Sequence, residues 1–220
     1  MKKILYVFIP VLFLVGIKWF APSSAEANAP GGVYPVKLVA PEGKAIAAFA
    51  EGCFWHSEII FEAVTGVDSA IAGYAGGKTK DPSYNRIETG TTGHAETVLV
   101  YYDPKKVSYK TLLQVYYLSH DPEQVNGQGN DRGTQYRSIA FYGNEAEHKL
   151  ALSARQQINA SGKKAATEID ALSAFYRAEE YHQNYIPHHP DNAYVRNVSI
   201  PEYKAFRKAY TGSLKKDLIR

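Results

Sequence analysis

This chain of 220 residues has little sulfur: one cysteine, Cys53, and one methionine, Met1. A single thiol excludes an internal disulfide framework and a four-thiolate zinc site. A core of this size normally uses a few methionines to fill gaps. Their absence after position 1 suits work among oxidants, because the sulfoxide is polar and disrupts packing. Compositional chance would give the same count. Excess charge is also lacking. The formal net charge is +3, and setting aside Lys2, Lys3, Lys18 and Glu26 of the leader leaves +1. No basic field exists to attract a polyanion, so nucleic acid is not an expected partner. Internal repeats are absent. The hydrophobic fraction of 45% and charged fraction of 21% are those of an ordinary globular protein. The length suffices for one domain with its own core, or for two small ones. What the chain has in plenty is tyrosine, 17 in all, so some hydroxyls must find partners in pockets or at the surface.

Long apolar runs are confined to the start. Lys2 and Lys3 precede Ile4 to Ile17, and a small-residue stretch ends in Ala25-Glu26-Ala27. These are the three parts of a secretory signal. The run is shorter than the ~20 residues of a spanning helix, although Trp19 and Phe20 could extend it into an uncleaved anchor. Residues 1–27 are therefore read as a signal peptide or membrane anchor. Both readings place the protein outside the cytoplasm, periplasmic or secreted, and the second tethers it to the membrane. Residues 28–43, rich in Pro, Gly and Ala, read as an extended linker or arm. The folded domain is expected over 44–212, with a tail at 213–220, and the chain is read as a monomer.

Periodicity supplies the elements. Strands are expected at Ala45–Ala50, Val67–Tyr74, His94–Tyr102, Tyr136–Tyr142 and Ala166–Leu172. Helices are expected after Cys53, from Ser108 to about Leu118, from Asn144 to about Ala160, and from Ser199-Ile200-Pro201-Glu202 to Gly212. Lys78–Gly93 and Asp121–Gly133 read as loops, and Phe175–Tyr185 as an aromatic, partly helical stretch. Two strands follow one another without a helix between. That favours an α+β fold in two layers, a mixed β-sheet with helices packed on it.

Cys53 is the centre of this arrangement. It follows an apolar strand and the bend at Gly52. Ser57, Ile60, Phe61 and Val64 continue its face at helical spacing. A thiol at a helix N-terminus meets unpaired N–H groups and the helix dipole, which typically lower its pKa. A buried, inert cysteine is the plain alternative. If the substrate carries an oxygen that must leave as water, the thiolate needs an acid. Glu96 shares a strand face with Val98 and Val100, so burial would keep its carboxyl protonated. An exposed edge-strand glutamate is the alternative. Tyr84 lies in the Pro82-Ser83-Tyr84 loop, Asp131 and Tyr136 flank the Gly133-Thr134-Gln135 turn, and tyrosine hydroxyls can hold a polar oxygen in an apolar pocket.

Five blocks occur in order: Gly52-Cys53-Phe54-Trp55, Gly73-Tyr74-Ala75-Gly76-Gly77, Gly93-His94-Ala95-Glu96, Asp131 to Ser138, and Glu180-Tyr181-His182-Gln183. From about Lys44 to Tyr210 the chain resembles the A-type peptide methionine sulfoxide reductases. The resemblance implies a ferredoxin-like fold with the catalytic cysteine at the N-terminus of the first helix. It implies reduction of the S epimer of methionine sulfoxide, free or in oxidised proteins and peptides. Cys53 would attack the sulfoxide sulfur and become a sulfenic acid. Glu96 would protonate the oxygen, Tyr84 and Tyr136 would hydrogen-bond it, and Asp131 would orient the site. Phe54 and Trp55 would form the pocket for the S-methyl group. No metal or organic cofactor is implied. Many members carry further cysteines that resolve the sulfenic acid; this chain has none, and Glu88 stands where some have one. An external thiol is therefore expected as reductant: thioredoxin, a glutaredoxin-like protein, or a small thiol. His182 is read as a structural residue near the site, and His188-His189 as surface histidines.

Two other readings remain on residues alone. A cysteine hydrolase would need a histidine base at the sulfur, for which His56 is the near candidate. A binding domain would merely bury Cys53.

Overall fold

In a computed structural model of the chain, residues 33–219 are described. The leader at 1–27 and the start of the linker lie outside them. The described residues begin with β1 (Tyr34–Pro35), then β2 (Ala45–Glu51), α1 (Phe54–Glu62), β3 (Val67–Ala75) and α2 (Tyr84–Ile87). Next come β4 (Ala95–Tyr102), α3 (Tyr109–Ser119), β5 (Gly127–Gln128), β6 (Asp131–Arg132) and β7 (Ser138–Tyr142). The chain closes with α4 (Glu145–Ala160), β8 (Glu168–Ala171), β9 (Phe175–Arg177), α5 (Tyr185–His188) and α6 (Ile200–Ala209).

The main sheet runs β1-β9-β3-β4-β2-β7-β8, and β5-β6 form a separate small ribbon. Within it, β2-α1-β3-β4-α3-β7 is the split βαβ arrangement of ferredoxin-like folds. Every pairing in the main sheet is antiparallel except β7 with β8, so the sheet is mixed. Alternation then sorts the side chains. Phe49, Tyr74, Val98, Val100 and Ala140 face the helices. Ala48, Leu99, Ile139 and Phe141 face the other side, where Val36 and Leu38 of the arm lie against them. The helix-side core is aromatic at its centre: Phe49 stacks on Phe61, with ring centroids 4.9 Å apart, and Tyr109 and Tyr116 pack beside it.

Two helix starts follow their sequence signals. Ser108 Oγ accepts from the Thr111 N–H at 3.1 Å, and Asn144 Oδ1 accepts from the Glu147 N–H at 3.0 Å. Elsewhere the structure departs from periodicity. Tyr136 belongs to a 3-10 turn, Thr134–Tyr136, because its N–H goes back to the Gly133 carbonyl; the strand starts only at Ser138. Phe175–Arg177 is a strand, paired with β3 on one side and β1 on the other. Three residues are too few to show a period of two. The polar stretch Asp121–Gly133 contains the β5-β6 ribbon, and Lys78–Gly93 contains α2. Beyond α6 the chain stays docked: Leu214 bridges to Val64, and the Thr65 N–H donates to the Ser213 carbonyl at 3.0 Å.

Candidate active site

The turn from β2 to α1 presents Cys53. Gly52 makes it with φ of +102°, and a Cβ there would stand 2.6 Å from the Gln128 side chain. Both the backbone angle and the close approach of the β5-β6 ribbon demand glycine. Cys53 is the N-cap of α1, one position before the first helical residue, and is half-buried. Its carbonyl accepts from the His56 and Ser57 N–H groups at 3.1 and 3.3 Å.

Glu96 lies on a central strand, not an edge, and is 2% exposed. Its Oε2 accepts the Phe54 N–H at 3.0 Å. Burial pushes this carboxyl well above the ordinary range, and the charges of Glu88 and Asp131 add to the effect; the Phe54 hydrogen bond opposes it. Burial therefore favours the protonated, neutral form of Glu96. With Oε2 engaged as an acceptor, the acid proton belongs on Oε1.

The thiol departs from expectation. Burial pushes Cys53 well above its ordinary value, the Glu96 charge acts in the same sense, and the Trp55 and His56 N–H groups only partly offset them. The helix terminus does not win because the first free N–H, that of Phe54, is spent on Glu96 and the sulfur is poorly solvated. Burial thus favours the neutral form of both thiol and acid.

Around them stand the other expected residues. Asp131, on β6, accepts the Tyr194 hydroxyl at 2.6 Å. Tyr136 donates its hydroxyl to Glu88 at 3.0 Å. Tyr84 opens α2, and its N–H donates to Glu179 Oε1 at 2.9 Å; Glu179 Oε2 also accepts the Tyr74 hydroxyl at 2.8 Å. Phe54 is buried against Tyr74 and His182. Trp55 lies flat on Tyr185 at 3.7 Å between centroids, with Tyr194 edge-on. Its Nε1–H donates to His182 Nδ1 at 3.1 Å, which places the His182 proton on Nε2. Burial holds His182 at about 4, so it stays neutral.

Cys53, Glu96, Tyr84, Tyr136, Asp131, Phe54 and Trp55 are thus set around one turn. Four partners escaped the sequence: Tyr194, Tyr185, Glu179 and, as a hydrogen-bonding group, Glu88. Two of these are tyrosines among seventeen, and only the need of Trp55 and Asp131 for partners could have pointed to them. His56 does not serve the sulfur. Its Nδ1 lies 3.3 Å from Glu202 on α6. His94 is a loop tie: its Nδ1 accepts the Gly77 N–H, and its Nε2 lies 2.8 Å from the Thr79 carbonyl oxygen. Gln183 knits the Ala72 backbone to the Ala178 carbonyl. Among the described residues no group of three His, Cys, Asp or Glu could hold a metal.

A half-buried thiol, a buried carboxyl group, phenolic hydroxyls and an indole wall can together receive an uncharged polar group on an apolar carrier. The peptide methionine sulfoxide reductase family profile matches residues 45–214. The enzyme MsrA of Natronomonas pharaonis is 44% identical, over 76% of this chain and 95% of its own. MsrA of Nautilia profundicola is 43% identical, over 74% and 94%. Among solved structures, reduced Mxr1 of Saccharomyces cerevisiae superposes with a TM-score of 0.66 at 34% identity, covering 70% of this chain and 94% of that one. Methionine sulfoxide reductase A of Corynebacterium diphtheriae gives 0.63 at 33%, covering 68% and 77%. The chain belongs to the peptide methionine sulfoxide reductase family, in its A type, and is an oxidoreductase that reduces methionine sulfoxide.

Proposed function

We propose that the enzyme reduces the S epimer of methionine sulfoxide, free or in proteins, through a sulfenic acid on Cys53. One observation carries the reading: Glu96 is buried at the first residue of the helix that Cys53 caps, where the Phe54 N–H fixes its carboxyl in place. Phe54 and Trp55 receive the S-methyl group. Cys53 attacks the sulfoxide sulfur while Glu96 gives its proton to the oxygen, and the carboxylate so formed takes up the thiol proton. The oxygen ends on the cysteine sulfur. The substrate gains two electrons and leaves as methionine; Cys53 loses two and becomes the sulfenic acid. Tyr84 and Tyr136 serve the oxygen, and Asp131, held by Tyr194, orients the site.

Cys53 has no second cysteine in its own chain to pair with. An external thiol therefore attacks the sulfenic acid, releasing water. A second thiol equivalent frees Cys53 and leaves as part of a disulfide. Thioredoxin, a glutaredoxin-like protein or a small thiol meets that requirement. The leader and the methionine-poor composition support repair of oxidised proteins in an exported compartment, with the leader removed or kept as an anchor. The enzyme is taken to act as a monomer.

The test offers each epimer of a methionine sulfoxide peptide to the purified protein with a small dithiol, and measures methionine. Turnover of the S epimer alone is expected, with loss in Cys53→Ser. Turnover of the R epimer, or of neither, rejects the reading. Without dithiol, one substrate equivalent leaves a sulfenic acid at Cys53 by mass spectrometry; methionine formed over an unmodified thiol contradicts the cycle.

A further inference from the structure

Tyr84 and Tyr136 enter the site with different obligations. The Tyr136 hydroxyl donates to Glu88 Oε1 at 3.0 Å. Among the described residues none hydrogen-bonds the Tyr84 hydroxyl. A phenol has one proton to give, and its oxygen otherwise accepts. With that proton on Glu88, Tyr136 offers only lone pairs to the site. A sulfoxide oxygen is itself an acceptor, so Tyr136 can hold it only after leaving Glu88. Glu88 caps α2 and is exposed. Arg86, the cation nearest it in sequence, turns away to the carbonyls of Lys80 and Asp81. An ionised carboxylate accepts more strongly than a neutral oxygen does. The substrate oxygen thus faces a strong rival.

We propose that Glu88 is a positioning residue that competes with the sulfoxide oxygen for the single proton of Tyr136, leaving Tyr84 as the hydroxyl that first holds the substrate. This rests on the function proposed above and deepens it. The two tyrosines, alike in sequence, become donor and acceptor. Once the oxygen has moved to Cys53, the sulfenic acid carries an O–H of its own. The lone pairs of Tyr136, enriched by the bond to Glu88, then accept it. Burial and the nearby carboxylates push both phenols above their ordinary range, so neither loses its proton near neutrality.

The test is steady-state kinetics on a methionine S-sulfoxide peptide. Wild type is compared with Glu88→Ala, Tyr84→Phe, Tyr136→Phe, and Glu88→Ala combined with each phenylalanine. Glu88→Ala should lower KM about three- to tenfold, the worth of one hydrogen bond. The gain should vanish when Tyr136 is phenylalanine. Tyr84→Phe should cost more in wild type than beside Glu88→Ala, where Tyr136 is free to donate. Glu88→Gln, whose amide oxygen still accepts, should fall between. A structural role for Glu88 would shift KM equally with and without the Tyr136 hydroxyl. An unchanged or raised KM in Glu88→Ala, or a drop that persists with Tyr136→Phe, overturns the proposal. If wild type turns over, Cys53→Ser does not, and Glu88→Ala keeps the wild-type KM, only this inference falls. If wild type forms no methionine, the proposed function falls and takes it along.

Discussion

At the scale of single residues, Glu96 and Cys53 share one electrostatic problem. Burial favours the neutral form of each, and the Glu96 charge adds to the upward shift of Cys53. In the proposed mechanism a neutral pair would let an uncharged sulfoxide enter without a charge to displace and would keep a proton ready for its oxygen. Glu96→Gln keeps the shape but has no acid proton. Its reduction rate should fall by about 10²–10⁴-fold, the range of a general acid, measured as single-turnover methionine formation. The wild-type rate should also fall at high pH as Glu96 ionises, with the midpoint well above the ordinary carboxyl range, and Glu96→Gln should lack that limb. Asp131 relies on Tyr194. Tyr194→Phe removes its 2.6 Å donor and should cut kcat/KM about tenfold, in keeping with about 1–3 kcal/mol for a lost partner of a charged group. Unaltered kinetics would show that Tyr194 only packs on Trp55.

At the scale of elements, the β2–Gly52–α1 turn sets the sulfur, and the β5-β6 ribbon sets the turn. Gly52→Ala meets both a positive φ and the Gln128 side chain. It should destabilise the fold by about 1–3 kcal/mol, seen as a lower Tm, and should reduce activity more than stability because Cys53 moves with it. Adding Gln128→Ala should recover only the steric part, since the strained backbone angle remains. Glu179 acts between elements. It lies beyond β9 yet accepts from Tyr74 on β3 and from the first N–H of α2, and so places Tyr84. The α3 and α4 signals were legible as caps and α1 as apolar spacing, whereas Ser199 makes no cap and continues the helical turn Val195–Ser199 into α6. Strand β9, the 3-10 turn at Tyr136 and the small ribbon were not legible, because each is too short to repeat its period.

At the scale of the whole molecule, buried ionisable groups tie stability to pH from both sides. Glu58 on α1 is held at about 8, above its ordinary 4.5, by burial and then by Glu62. The folded chain binds that proton more tightly than the unfolded one. Its contribution is whole below 4.5 and is lost as pH rises to about 8. Glu96 and Glu62 act in the same sense. His182 does the reverse. It is held at about 4 against 6.5, so its contribution is whole above 6.5 and is lost as pH falls towards 4. Thermal unfolding across pH 4 to 9 should therefore show a maximum inside the range. Glu58→Gln should flatten the alkaline decline without touching the acid one. An unchanged alkaline slope would mean that Glu58 is not the group responsible.

The sequence by itself determined the class of fold and marked Cys53 and Glu96 as the candidate nucleophile and acid. Strand and helix periods, caps and the Gly-Cys turn are local facts, and the alternation that puts Glu96 with Val98 and Val100 already implies its burial. The lone cysteine likewise dictates that any reductant comes from outside the chain. Only the tertiary structure decided the electrostatics and the partners. Whether a helix start lowers a thiol depends on which N–H groups remain free, and here Glu96, 42 residues away, has taken the first. Which of seventeen tyrosines reach the site depends on α2, the Tyr136 turn and the approach to α6 folding over one strand end. A hydroxyl's proton goes to whichever acceptor lies within reach, and reach is a property of space rather than of order along the chain.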